Sequence, residues 1–470
     1  MDKKIAKGKK LLINTIIIGI GKFSSQVIVF LMLPIYTSNL STNEYGFYDT
    51  LISVATFLVP IITMLLEESM FRYLIEYRGT KKTETVISNT LIYCFSSLII
   101  FSVLYSIFCT FFDFEYKWYF LIYIIFYTLY AVSNAVTRGL GKVKEYAISN
   151  FIANVLMVTF NLFAILKVKA GVPGLFISYS LGIFFAISFV MFKVDIKKYF
   201  SFSKFDKNLF KEMFKYSIPL VPNTLSWSII NVSDRIMLTS LWDSSVNGIY
   251  SVANKFPQAM GSVYNFFSIA WKESASMELG DRKYYSEVIN KILKLLLIAS
   301  ICILSVLPLI YVFFVDEAFI ESYYYVPILL VAMIFSNISE YFSGILIAYK
   351  RTKIIGITTI IAAAINIIIN IFFIRKYGIL AASVSTLLAT LTVAILRIII
   401  IKKYICIDIR YKKYIPYFLL IIFSVINYYL KNDIVNLAYI IIVSICIAIL
   451  NRNIINQIIS KIKKRYIDER

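Results

Sequence analysis

The chain contains no histidine, which removes imidazole bases, histidine-dependent acyl transfer and histidine metal ligands from consideration. Acidic residues are scarce, 27 against 48 lysines and arginines. The five cysteines, Cys94, Cys109, Cys302, Cys406 and Cys446, show neither paired nor metal-ligand spacing, and four fall inside apolar runs, where a thiol packs as a small hydrophobe. No glycine-rich phosphate loop occurs, so ATP bound by this chain is not the expected energy source. What the chain has instead is apolar surface. Of its residues 59% are hydrophobic and 16% charged, with a mean hydropathy of +0.77, a balance that no water-soluble domain of this length tolerates.

Apolar runs of roughly eighteen residues or more recur from end to end, each long enough to cross ~30 Å of hydrocarbon. Bounded by charged and turn residues, they predict an all-α integral membrane protein with about fourteen transmembrane helices. The basic stretch Met1 to Lys10 resembles the start of a secretory signal, but the run after it is too long and carries Lys22, which predicts an uncleaved first span. Alternate loops collect the cations. Roughly 39 basic residues fall on the side of the N-terminus, including the group from Arg397 to Lys413, roughly 6 fall opposite, and about 3 lie within spans. The positive-inside rule then puts both termini in the cytoplasm. Loops on the other side are too short to house a catalytic domain, so the chain is not expected to be an enzyme. The link from Asp195 to Tyr216 interleaves Phe205, Leu209, Phe210, Met213 and Phe214 with lysines, the pattern of an interfacial amphipathic helix.

The sequence also repeats itself. Thr37, Ser38, Gly46 and Tyr48 recur 202 residues on as Thr239, Ser240, Gly248 and Tyr250, and Lys144 and Asn161 recur as Lys353 and Asn370. Spans one to six therefore match spans seven to twelve. Because six is even, the halves are parallel, and a substrate site is expected between them. The boundaries implied are an N-lobe over 1–200, a C-lobe over 201–403, and spans thirteen and fourteen with a basic tail over 404–470.

Ionisable groups inside spans are costly and normally face a cavity or a partner. Lys22 lies midway along span one, Asp234 and Arg235 near the outer end of span seven, Lys255 at similar depth in span eight, and Glu340 in span ten. A cation in low dielectric suits a diphosphate, and a carboxylate suits a coupling proton or cation. Lys22, Arg235 and Lys255 are therefore candidate substrate-binding residues, with Asp234 and Glu340 as candidates for ion coupling. For Asp234, Arg235 and Lys255 a structural ion-pair cluster is the competing reading. Span seven adds Pro219 and Pro222, then Asn223, Trp227 and Asn231, a polar stripe with an aromatic able to stack on a sugar ring.

Three further segments carry a resemblance: Phe214-Lys215-Tyr216-Ser217-Ile218-Pro219-Leu220-Val221-Pro222, Asp234-Arg235-Ile236-Met237-Leu238, and Asn247-Gly248-Ile249-Tyr250-Ser251-Val252-Ala253-Asn254-Lys255. Together they resemble the start of the second repeat in polysaccharide-repeat flippases of the multidrug/oligosaccharidyl-lipid/polysaccharide exporter superfamily. Arg138-Gly139-Leu140-Gly141-Lys142 and Gly171-Val172-Pro173-Gly174 are similar to that family as well. The resemblance implies two pseudo-symmetric six-helix lobes in a V shape plus two C-terminal helices. It implies alternating access that carries an undecaprenyl-diphosphate-linked glycan to the outer leaflet of a bacterial cytoplasmic membrane, for capsule, O-antigen or exopolysaccharide synthesis. The implied partners are a polysaccharide polymerase and a chain-length regulator, with no nucleic acid and no cofactor beyond a coupling proton or sodium ion. A lipid II flippase, a multidrug and toxin extruder of the same superfamily, and a membrane glycan polymerase are the alternatives.

Overall fold

The computed structural model describes residues 30–430 and 432–452. Lys22 and most of the first span, Lys431, and the basic tail from residue 453 lie outside the described residues. The described residues form helices and connecting turns, with no strand among them. They are α1 (Leu33–Asn39), α2 (Thr42–Thr63), α3 (Leu66–Tyr77), α4 (Lys82–Phe111), α5 (Lys117–Gly139), α6 (Val143–Leu162), α7 (Gly171–Val194), α8 (Lys207–Ser217), α9 (Val221–Leu241), α10 (Ser244–Met277), α11 (Arg282–Phe314), α12 (Val326–Ala348), α13 (Thr352–Tyr377), α14 (Ile379–Ile401), α15 (Ile415–Leu430) and α16 (Asp433–Leu450).

Ten of the described helical segments are long and apolar enough to cross a membrane. Two more, α9 and α10, have 21 and 34 residues but carry the polar and charged side chains described below, which dilute their hydropathy. The outward faces confirm which solvent these helices meet. In α4 only 17% of the most apolar window is buried, and Ile99, Leu104 and Phe111 are exposed along it, as lipid-facing residues are. Helix starts are fixed by side chains. Ser41 accepts from the Glu44 amide while Glu44 accepts from the Ser41 amide, a reciprocal cap. Asp206, Asp281 and Asn432 cap α8, α11 and α16 in the simpler way.

Two compact units emerge. The first comprises 1–277 with 316–400, the second 278–315 with 401–470. In the first unit, α2 to α5, α7 and α8 bury one core around Met70, Tyr123, Val132 and Phe176, while α9, α13 and α14 share another around Ile230, Ala362, Ala389 and Val393. The amphipathic link is α8. Its Leu209 and Met213 enter the first of these cores, and Ser69 Oγ donates to the Met213 carbonyl at 2.9 Å, so this helix is bound to protein on its apolar face. The second unit packs α11 against α15 and α16 around Leu297, Ile301, Tyr414, Tyr417 and Val443.

The halves of the first unit meet where the sequence repeats. A Cβ on Gly46 of α2 would lie 1.7 Å from the Ser244 carbonyl oxygen, and one on Gly248 of α10 would lie 2.1 Å from that of Thr42. Only glycine permits this approach. Around the crossing, Asn247 Nδ2 donates to the Gly46 carbonyl at 2.7 Å and to Thr50 Oγ1 at 2.9 Å, and Thr50 shares a hydrogen bond with Thr239 at 2.7 Å.

Candidate substrate and ion sites

Beside the glycine crossing sits a buried charge cluster. Arg235 Nε lies 2.5 Å from Asp49 Oδ2, Ser251 Oγ donates to the same oxygen at 2.5 Å, and Lys255 Nζ lies 3.8 Å from Asp49 Oδ1. Arg235 Nη1 also donates to the Asn231 carbonyl at 2.5 Å, and its guanidinium stands over the Tyr250 ring at 5.7 Å. The ion-pair reading thus holds for Arg235 and Lys255, but their counter-ion is Asp49 on α2, not Asp234. The pair ties the first half to the second.

Asp234 points elsewhere, into a neutral cage. Its Oδ1 accepts from Asn366 Nδ2 at 3.1 Å, Asn370 Nδ2 at 2.5 Å and Ser385 Oγ at 3.5 Å. Its Oδ2 accepts from Tyr250 OH at 2.7 Å and Thr386 Oγ1 at 2.5 Å. All are fixed by α9, α10, α13 and α14. A fully buried carboxylate held by amides and hydroxyls, with the Asn370 Oδ1 unpartnered beside it, offers oxygen ligands to a small hard cation or a place for a proton. The counterpart of Asp234 in the first repeat, 202 residues earlier, is Met32, which is buried. That position of the first repeat therefore carries no carboxylate.

The remaining candidates gather toward the other end of α9. From Asn223 to Asp234 is about 16 Å along the helix axis. Asn223, Trp227 and Glu340 line one cavity of about 620 Å³ together with Lys272, and Lys272 Nζ lies 2.6 Å from Glu340 Oε1. Ser268 Oγ donates to the same oxygen at 3.1 Å. Asn223 Oδ1 has no protein partner. Asn231 spends its side-chain amide on the Trp227 carbonyl at 2.9 Å, and its own carbonyl is the acceptor for Arg235.

Two further cavities, of about 510 and 460 Å³, share Ser262 and Asn265 of α10. The first is walled by Tyr130, Asn150, Asn154 and Tyr179 from the first half, the second by Trp227, Gln258, Asn337 and Glu340 from the second. Asn150 Nδ2 donates to Asn134 Oδ1 at 3.2 Å, and Tyr130 OH donates to Asn150 Oδ1 at 3.0 Å. Of this lining the sequence reading named Trp227 and Glu340; Tyr130, Asn150, Asn154, Tyr179, Gln258, Asn265 and Asn337 are absent from its candidates, as are Asp49, Asn366, Asn370, Ser385 and Thr386. The i, i+4 spacing of Asn150 with Asn154 and of Asn366 with Asn370 inside apolar spans is the signal that marks them, since each pair puts two amides on one helix face.

Arg397 is placed differently from the sequence reading, which grouped it with loop cations. It is fully buried in α14. Nε donates to Thr358 Oγ1 at 3.1 Å, Nη1 to the Ser339 carbonyl at 3.0 Å and to Ser343 Oγ at 2.6 Å, and Nη2 to Thr359 Oγ1 at 3.0 Å and the Ile355 carbonyl at 3.4 Å. Its position five residues before the basic loop disguised it. Neutral acceptors on α12 and α13 satisfy all five donors, which a short lysine could not reach.

An all-helical membrane fold, a sequence repeat crossing at its own glycines, a buried carboxylate cage and polar cavities between the halves define a two-lobe membrane transporter. The polysaccharide biosynthesis protein family model matches residues 11–271 and the MatE family model residues 219–372. The chain belongs to the polysaccharide biosynthesis protein family, within the multidrug/oligosaccharidyl-lipid/polysaccharide exporter superfamily. It is similar to the lipid II flippase MurJ in its inward closed conformation, with a TM-score of 0.71 at 20% identity over 94% of this chain and 100% of that one. An inward-facing multidrug resistance MATE family transporter matches with a TM-score of 0.67 at 13% identity, over 82% and 98%. An uncharacterized membrane protein of Methanocaldococcus jannaschii is 24% identical over 298 residues, 59% of this chain and 70% of that protein.

Proposed function

We propose that the protein is a flippase that moves a polyprenyl-diphosphate-linked oligosaccharide, of the undecaprenyl class, from the inner to the outer leaflet of the bacterial cytoplasmic membrane, with both termini on the inner side. The observation that carries this reading is the lining of the cavities between the halves: Asn150, Asn154, Gln258, Asn265 and Asn337, with Tyr130, Tyr179 and Trp227. Amides donate to and accept from sugar hydroxyls, and rings stack on sugar faces. Glu340, a carboxylate of this lining, is already paired with Lys272, which disfavours an organic cation.

In this reading Lys22 and Lys255 meet the diphosphate, Arg235 holds the outer crossing through Asp49 and is available to the substrate only when the crossing opens, and Asp234 carries the coupling proton or sodium ion. Glu340 exchanges Lys272 for cargo. The product supplies a polymerase and a chain-length regulator on the outer face, for a capsule, O-antigen or exopolysaccharide. Extrusion of drugs is the second reading, supported by the MatE match.

The test is depletion in the host followed by a leaflet-resolved assay of the lipid-linked oligosaccharide. Accumulation in the inner leaflet with loss of surface polymer is the expected result. Outward-facing but unpolymerised units would indicate a polymerase, and an unchanged lipid pool would move the assignment to drug extrusion.

A further inference from the structure

The second unit contains a cavity that the transport reading does not use. It has a volume of about 310 Å³ and is lined by Glu287, Asn290, Lys291, Lys294, Arg410, Lys413 and Tyr414. Its floor is built, not accidental. Asn290 Nδ2 donates to the Asp408 carbonyl at 2.8 Å, while Asn290 Oδ1 accepts from the Arg410 amide at 3.0 Å and from Tyr414 OH at 2.8 Å. These bonds pin the segment before α15 onto α11 and bring the cations of both to one opening.

Four cations thus face one carboxylate. Among the described residues none of the four has a carboxylate oxygen within 4.0 Å, although Glu287 lies in the same lining. Lys294 Nζ rests over the Tyr417 ring at 6.0 Å. Like charges gathered on a hydrogen-bonded frame repel one another unless an anion joins them.

Depth identifies the anion. From Leu295 to the end of α11 at Phe314 there is no charged residue, nor is there one from Ile415 to Leu430 in α15. The first stretch alone covers about 30 Å, the thickness of the hydrocarbon. Lys294 and Lys413 are the last cations before these runs, so the cavity opens at the level of lipid phosphates. Above it, Leu295, Phe418, Leu419 and Ile422 are exposed apolar side chains on which acyl chains can lie. We infer that this cavity binds the phosphate of an anionic phospholipid, with Lys291, Lys294, Arg410 and Lys413 as its ligands. The inference is independent of the cargo.

The full-length protein is tested by native mass spectrometry with phosphatidylglycerol and phosphatidylcholine titrated in turn. The expected result is selective retention of phosphatidylglycerol, weakened about fivefold by each of Lys291→Gln, Lys294→Gln and Lys413→Gln and about twenty-five-fold by a pair of them, following the usual contribution of one basic residue near an anionic surface. Glu287→Gln, which removes the opposing charge, tightens retention. Equal retention by wild type and the Lys294→Gln/Lys413→Gln variant, or no preference over phosphatidylcholine, overturns the inference. Displacement by millimolar inorganic phosphate would make this a soluble-anion site, and preferential binding of farnesyl diphosphate a cargo site. Either also overturns it.

Discussion

Replacing Asp49 by asparagine removes the charge that holds Arg235 and Lys255 while leaving the shape of the crossing intact. Asp49 and Arg235 are nearly inaccessible, at 10% and 7% side-chain exposure, so water cannot take over the lost role. A pair of unit charges about 4 Å apart interacts by ~4 kcal/mol at an effective dielectric of 20. The asparagine carbonyl keeps part of the hydrogen bonding to Arg235 and Ser251, worth about 1 kcal/mol. The expected loss is therefore about 3 kcal/mol, at the lower edge of what breaking a buried ion pair costs. Equilibrium unfolding of the purified protein by SDS titration in mixed micelles measures it. Two more variants, Arg235→Gln alone and Asp49→Asn/Arg235→Gln, close a double-mutant cycle. The double variant should recover at least ~2 kcal/mol of the summed single losses. A loss below about 1 kcal/mol for Asp49→Asn, or additive losses across the cycle, would refute the claim that this contact fastens the halves.

Three other outcomes follow from the same geometry. Asp234→Asn keeps stability within ~1 kcal/mol, because it removes a buried charge that forms no ion pair among the described residues, yet transport by proteoliposomes loses its response to sodium and proton gradients. A retained response would exclude Asp234 as the coupling site. Arg397→Ala leaves hydroxyls and carbonyls of α12 and α13 without donors and opens a void, lowering stability by about 2–4 kcal/mol in the same SDS titration, with Arg397→Lys recovering only part. Lys22→Ala inserts normally but fails to export polymer, read as surface polysaccharide alongside protein in the membrane fraction. Normal export in that variant would remove Lys22 from the substrate site.

The helices were legible because the bilayer imposes one length and one polarity on every span. Legibility fell where polar residues had to be paired across distance. Asp49 and Arg235 are 186 positions apart, and no local pattern selects Asp49 over Asp234 as the counter-ion, since Asp234 is the immediate neighbour in sequence. Arg397 was misread for a related reason. Positive-inside counting tells spans from loops by charge, so an arginine one turn inside a helix end is assigned to the loop, while the acceptors that justify its burial lie on two other helices. The carboxamides of the lining escaped because asparagines in apolar spans look like helix-packing residues until the facing half is in view. Conversely, the repeat was read from identities such as Gly46 with Gly248, and the structure set the two members of that pair against each other.

Positions 202 residues apart that touch have an evolutionary consequence. In a dimer of identical chains, a residue on the symmetry axis meets its own copy, so one mutation alters both sides of the contact together. Gly46 and Gly248 still obey that constraint, because a methyl group on either strikes the backbone of the other helix. Asp49 and Ser251 do not: a carboxylate receives a hydroxyl at 2.5 Å, where identical halves would have set two carboxylates, or two hydroxyls, face to face. With the two halves unlike, each side varies alone, and the pairing of Asp49 with the cations of the opposite repeat is an arrangement closed to a symmetric dimer of identical chains.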